Sequence, residues 1–107
     1  MQRHSDTFTV ERERSNGAIH LRLAGRFDVA ATPVLDDAIA VIGRRDVVLD
    51  LKAVSFMDSA AWLAIMAYEH RVHDWGMKFR LAHVPANIRR IFELTATEHL
   101  LSDAVGA

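Results

Sequence analysis

The sequence predicts an α/β domain: a small mixed sheet of about four strands in the order β-β-α-β-α-β-α-α, with helices mainly on one face. Three observations predict it. Two alternating segments near the start, "FTVERE" and "AIHLRLAG", flank the turn triplet Ser15-Asn16-Gly17, which reads as a hairpin. Two later alternating segments, "VVLDL" and "MKFRLAHV", each follow a stretch of helical periodicity, which reads as crossovers into parallel pairs. The strand segments also alternate rather than running continuously apolar. His20, Arg22, Asp50, Lys78 and Arg80 fall on their second face, so one face of the sheet is covered and the other is partly wet.

Each element has its own signal. Phe8 and Val10 share one side of the first segment, and Ile19, Leu21 and Leu23 share one side of the second. In "ATPVLDDAIAVIG", Thr32 before Pro33 starts a helix and Gly43 stops it, with Leu35, Ile39 and Ile42 as its apolar stripe. Val47, Leu49 and Leu51 face one way in the next strand. Residues 59–74 form a second helix, which Gly76 breaks before a strand that places Met77, Phe79 and Leu81 together. "PANIRRIFEL" gives a third helix, with Ile88, Ile91 and Phe92 inward and Arg89 and Arg90 outward. A last short helical stretch is expected after Thr97.

Composition removes several function classes. The 107 residues, half of them apolar, suit one compact domain over residues 1–107. The absence of cysteine excludes disulfides and thiolate metal sites, and fits a cytoplasmic location. A net charge of -1 with mixed signs offers no basic patch for nucleic acid or anionic lipid. No apolar run spans a bilayer, so no direct membrane contact is expected. His70 and His73 sit three apart on a helix but lack a third ligand, so no metal is expected. There is no glycine-rich phosphate loop and no Gly-x-Ser-x-Gly elbow. The chain reads as a binding protein rather than an enzyme, without a cofactor.

Attention then falls on "VSFMDSAAW", residues 54–62, at a strand-to-helix junction. Asp58 or Ser59 can each cap the helix that follows, because a side-chain oxygen there satisfies orphan backbone N–H groups. The same position, at the carboxyl end of a strand, is where open α/β sheets place their sites. A phosphate on Ser59 would add about -1.5 to -2 charges. The positive end of the helix dipole tolerates such a dianion. A docked partner would meet like charge and unpaired oxygens, sharpened by Asp58. Along the helix, Ala61, Ile65, Tyr68 and Val72 form an uncharged stripe suited to the core. Trp62, Met66, Glu69 and His73 form a second stripe beginning beside Ser59, which either packs under a neighbouring helix or serves as a binding surface.

Three ordered motifs resemble the STAS family, specifically its bacterial anti-sigma factor antagonists. "VVLDLKAVSFMDSAAW" resembles the family's central strand, loop and Met-Asp-Ser-Ser-Gly-Leu run. "LRLAGRFD", ending at Asp28, is similar to its Leu-x-Gly-x-Leu-Asp turn into the first helix, and "VPANIRRIFELT" to its Pro-x-x-x-Arg-(Leu/Ile)-Phe-x-x-(Ser/Thr) stretch. The resemblance implies the STAS fold and a phosphorylation switch. The partner would be an anti-sigma factor with serine kinase activity, which the unphosphorylated antagonist engages, so releasing a sigma factor. A phosphatase would reset the switch. Carried over by position, Ser59 is the phosphoacceptor, and Asp28 and Asp58 lie near the partner surface. The chain departs from the pattern at Ala60 and Ala61, where the family has a second hydroxyl and a glycine, at Trp62 in place of leucine, and at Ala96 in place of glycine. Partner choice is therefore expected to be decided at Ala60, Ala61 and Trp62, and the expected partner-binding residues are Asp28, Asp58, Ala60, Trp62 and Met66.

The same residues bear on three other roles. STAS domains also serve as subunits of lipid-transport ABC complexes and as parts of anion transporters. A receiver domain with Asp50 as acceptor would need an acidic cluster after the first strand, which the chain lacks. A serine hydrolase would need the elbow and a placed histidine.

Overall fold

The computed structural model describes residues 2–5, 8–95 and 97. Its elements are β1 (Gln2–Ser5), β2 (Phe8–Ser15), β3 (Ala18–Phe27), α1 (Thr32–Ala40), β4 (Asp46–Met57), α2 (Ser59–Asp74), β5 (Phe79–Ala82) and α3 (Ala86–Leu94). The strands form one mixed sheet in the order β1-β2-β3-β4-β5. The two hairpin pairs, β1–β2 and β2–β3, are antiparallel. Crossovers through α1 and α2 make β3–β4 and β4–β5 parallel. The expected α/β architecture is present, with five strands rather than about four. The extra strand, β1, is the polar "QRHS", whose composition carries no apolar alternation to mark it. The short helical stretch expected after Thr97 lies outside the described residues.

Alternation decides which face is covered. Ile19, Leu21 and Leu23 of β3, Val47, Leu49 and Leu51 of β4, and Phe79 and Leu81 of β5 are all buried. They share one core with Leu35 and Ile39 of α1, Ala61, Ile65, Tyr68 and Val72 of α2, and Ile88 and Phe92 of α3. The helices therefore cover a single face, with α1 against β1 and β2, and α2 against β4 and β5. On the opposite face, Arg22 is exposed and held by Glu13 and, at 4.0 Å, by Glu11. Fully burying each large aliphatic side chain in the core contributes about 1.5–3 kcal/mol, which makes this alternation the main determinant of strand register.

Turns join the elements where the sequence signals them. Asn16 (φ 52°) and Gly17 (φ 80°) take the left-handed backbone that a two-residue hairpin turn requires. Gly76 (φ 77°) ends α2 by the same means, and its N–H donates to the His73 carbonyl at 2.8 Å. The largest departure from expectation is the length of β4. The strand continues through "KAVSFM" to Met57, pairing Arg26 with Phe56 and Phe27 with Met57. Register shifts between Arg22 and Ala24, and between Gly25 and Arg26, break the alternation. Lys52 and Ala53 are both exposed, as are Ser55 and Phe56, so the period-two signal disappears over this half of the strand.

The helices also meet each other. The Tyr68 hydroxyl of α2, in a residue 2% exposed, donates to an Asp36 carboxylate oxygen of α1. Burial pushes this phenol well above the ordinary tyrosine pKa, and the hydrogen bond to Asp36 adds to the shift.

Candidate functional site at the β4–α2 junction

The end of β4 delivers the chain to α2 through a single residue. Asp58 has extended backbone (φ -105°, ψ -177°) and is the N-cap of α2. Its Oδ1 accepts the Ala61 N–H at 2.9 Å. Its own N–H donates to the Phe27 carbonyl at 3.3 Å, and its Oδ2 accepts the Val29 N–H at 3.3 Å. One carboxylate thus starts the helix and ties the β4–α2 junction to the loop after β3. Of the two residues able to cap, the acid performs the task.

Ser59 is consequently the first helical residue, and it is exposed. Its hydroxyl makes no hydrogen bond among the described residues. It stands over the N-terminus of a sixteen-residue helix, where unsatisfied N–H groups and the helix dipole favour negative charge.

Asp28 occupies the neighbouring loop, half-buried. Its Oδ1 accepts the N–H groups of Ala30 at 3.1 Å and Ala31 at 3.2 Å, forming an Asx turn into α1. Arg26 Nε lies 3.6 Å from Asp28 Oδ2, and the Arg26 guanidinium stacks over the Phe56 ring at 4.3 Å. The Asp58–Val29 hydrogen bond brings these residues beside Ser59. α1 begins at Thr32 with Pro33 in its first turn, as expected, and the Thr32 hydroxyl donates to the Val29 carbonyl at 3.0 Å. Ala31 occupies the cap position without a side-chain hydrogen bond.

The structure separates the remaining sequence candidates. Ala60 is half-buried beside Ser59, and Ala61 is fully buried. Trp62 and Met66 are partly buried and pack against the core. The Trp62 indole N–H donates to Thr97 Oγ1 at 3.3 Å, and Thr97 in turn meets Thr95 Oγ1 at 2.8 Å. The Trp62 side chain therefore packs against the core and meets the chain that follows α3, while remaining partly accessible. Glu69 is half-buried and His73 exposed. His70 lies 3.4 Å from Asp74 rather than in any cluster, and no group of three metal-ligating side chains occurs among the described residues.

Sequence reasoning missed three large apolar side chains around this junction. Val29 is 67% exposed, Leu63 59% and Phe56 38%. Leu63 lies one helical turn from Ser59, and its position off the core stripe of α2 was the available signal. Phe56 was hidden by the broken alternation of β4, and Val29 by its place in a loop. All three are carried by the segments that meet at this junction, near Asp28, Asp58 and Ser59 in the chain.

Comparison with known proteins agrees with this fold. The family model for the STAS domain matches residues 9–104. The chain is 24% identical over 94 residues to the anti-sigma-B factor antagonist of Bacillus subtilis (strain 168), covering 86% of each protein. Its fold is similar to a crystal structure of an anti-sigma factor antagonist from Mycobacterium paratuberculosis, with TM-score 0.78 and 24% identity over 91% of this chain and 85% of that one. It is also similar to the anti-sigma factor antagonist SpoIIAA. The unphosphorylated form gives TM-score 0.74 and 17% identity over 85% of this chain and 84% of that one. The phosphorylated form gives 0.69 and 15% over 85% and 86%. The family match runs from within β2 to beyond α3 and takes in both strand-to-helix junctions, so the chain belongs to the STAS domain family.

Proposed function

We propose that this protein is an anti-sigma factor antagonist, a phosphorylation-switched binding protein and not an enzyme. In this reading Ser59 accepts phosphate from an anti-sigma factor with serine kinase activity. The unmodified protein engages that factor and so releases a sigma factor, and a phosphatase resets the switch. One observation carries the reading: Asp58 takes the capping role, and the Ser59 hydroxyl is exposed at the start of α2 with no hydrogen bond among the described residues. The relatives named above supply the function class.

The physical logic follows from that arrangement. A phosphate at Ser59 sits at the positive end of α2, so the helix accommodates about -1.5 to -2 added charges. The Asp58 carboxylate keeps its hydrogen bonds to Ala61 and Val29, and the fold persists. Asp28, Asp58, Ala60, Trp62 and Met66, with the exposed Val29, Phe56 and Leu63, form the surface the partner covers. An interface desolvating that surface loses several kcal/mol when an unpaired dianion appears within it. The kinase partner supplies the nucleotide and the phosphoryl chemistry. This is a switch on association rather than on folding, in a single STAS domain working in the cytoplasm.

The test is direct. Incubation with ATP and the cognate anti-sigma kinase should add one phosphate, located at Ser59 by mass spectrometry. Wild-type and Ser59→Ala proteins should bind the kinase, and Ser59→Asp should bind poorly. Equal binding by all three would sink the switch.

A further inference from the structure

On the sheet face away from the helices, a depression of about 500 Å3 runs across β3, β4 and β5. That volume lies within the range of small-molecule sites. Val48 forms its floor, flanked in register by His20 on β3 and Arg80 on β5. With strands about 4.8 Å apart, His20 and Arg80 stand roughly 10 Å from each other, a gap wide enough for one small ring. Ala18 and Ala82 extend the apolar floor.

The charges around this floor are unevenly engaged. Lys78 and Arg80 line the depression, and neither forms an ion pair among the described residues. The acids of the lining, Asp46 and Asp50, each accept a main-chain N–H, from Lys78 at 2.9 Å and from Lys52 at 2.9 Å. Arg22, on the same face, is by contrast already held by Glu13 and Glu11. The rim carries a second feature. His83 leaves β5 with φ 54°, a left-handed backbone that non-glycine residues adopt rarely and that clusters at ligand sites. The other non-glycine residue with such a backbone among the described residues, Asn16, is accounted for by its hairpin turn.

We infer that this depression binds a small organic anion. Arg80 and Lys78 hold its phosphate or carboxylate, and its apolar body lies over Val48, Ala18 and Ala82. The arginine fork suits a two-oxygen acceptor, and the lysine adds a point charge. The site lies on the opposite sheet face from the helices and near the starts of β3 and β4, whereas Ser59 follows the end of β4. It therefore stands or falls independently of the phosphorylation switch.

The experiment is an amide chemical-shift titration of the full chain with phenyl phosphate and with benzoate, the two arms distinguishing the headgroups. Benzyl alcohol and inorganic phosphate serve as controls. Saturable shifts in the millimolar range are expected for at least one anion, centred on His20, Val48 and Arg80. Arg80→Gln and Lys78→Gln, both at solvent-accessible positions, should each weaken binding by about tenfold, the effect of losing one charge-assisted contact. Arg22→Gln should leave it unchanged, because that guanidinium is already paired. Asp50→Asn should tighten it several-fold by removing a like charge. Absence of saturation at about 10 mM would overturn the inference. So would shifts centred on Ser59, equal binding of benzyl alcohol or inorganic phosphate, or equal weakening by Arg22→Gln and Arg80→Gln.

Discussion

The chain passes from strand to helix at two neighbouring junctions that share an ingredient list and use it differently. Between β3 and α1, Asp28 gathers the Ala30 and Ala31 N–H groups, and the Thr32 hydroxyl is consumed by the Val29 carbonyl. Between β4 and α2, Asp58 takes the Ala61 and Val29 N–H groups, and the Ser59 hydroxyl is left over. The difference is one of position. Thr32 faces a loop carbonyl three residues back, whereas Ser59 follows a strand that ends two residues earlier and meets no such acceptor among the described residues. An acid that does the structural task leaves the hydroxyl exposed, as the proposed switch requires.

Replacing the free hydroxyl by a carboxylate tests the comparison most severely. Ser59→Asp should weaken kinase binding on the order of 100-fold, measured by calorimetry, while its melting temperature stays within a few degrees of wild type. A large loss of stability would show that Ser59 is structural after all.

Removing the acid should have the opposite signature. Asp58→Ala loses the α2 cap and the link to Val29, an expected cost of about 2 kcal/mol in urea unfolding. Asp58→Asn, which keeps an acceptor oxygen, should lose less. Asp28→Ala removes only the Asx turn and should lose about 1 kcal/mol.

The helices following the two junctions are coupled by Tyr68 and Asp36, and pH reads that coupling. The Tyr68 phenol has its pKa raised in the folded chain, so its neutral form is favoured there. Its stabilisation is fully present below the ordinary tyrosine value of about 10 and is lost as pH rises beyond it. Tyr68→Phe should cost about 1 kcal/mol at neutral pH and flatten the alkaline decline of stability. Tyr68 is the only tyrosine of the chain, so ultraviolet titration reports on it alone. A titration midpoint near 10 in the folded protein would contradict the buried hydrogen bond.

The smallest effects sharpen the comparison most finely. Thr32→Ala should cost about 0.5 kcal/mol through its lost hydrogen bond, whereas Ser59→Ala should be neutral within about the same margin. Chemical denaturation of the two variants side by side decides it.

Much of this molecule was legible because strong local signals agreed with the tertiary arrangement. The bounds of α2, residues 59–74, follow from an acidic cap, an uncharged stripe and Gly76. The covered and wet faces of the sheet follow from alternation in β3, β4 and β5. What was illegible has physical causes too. β1 is polar throughout, and its pairing is a backbone matter that side-chain patterns do not report. The second half of β4 carries register shifts that place successive residues on one side. Which of Asp58 and Ser59 caps the helix depends on the Phe27 and Val29 backbone, some thirty residues away in sequence, and no local pattern encodes it. The Trp62 indole likewise finds its partner at Thr97, on the far side of α3.

One end of the sheet has a bearing on self-association. An edge strand presents unpaired backbone groups that can template another copy of the chain into a growing fibre. β5 forms one edge of this sheet and is only four residues long. Lys78 immediately precedes it, Arg80 interrupts it, and Val84-Pro85 follows it within three residues. A short edge with two cations and a proline close by is a poor template. The arrangement disfavours edge-to-edge pairing of copies through β5.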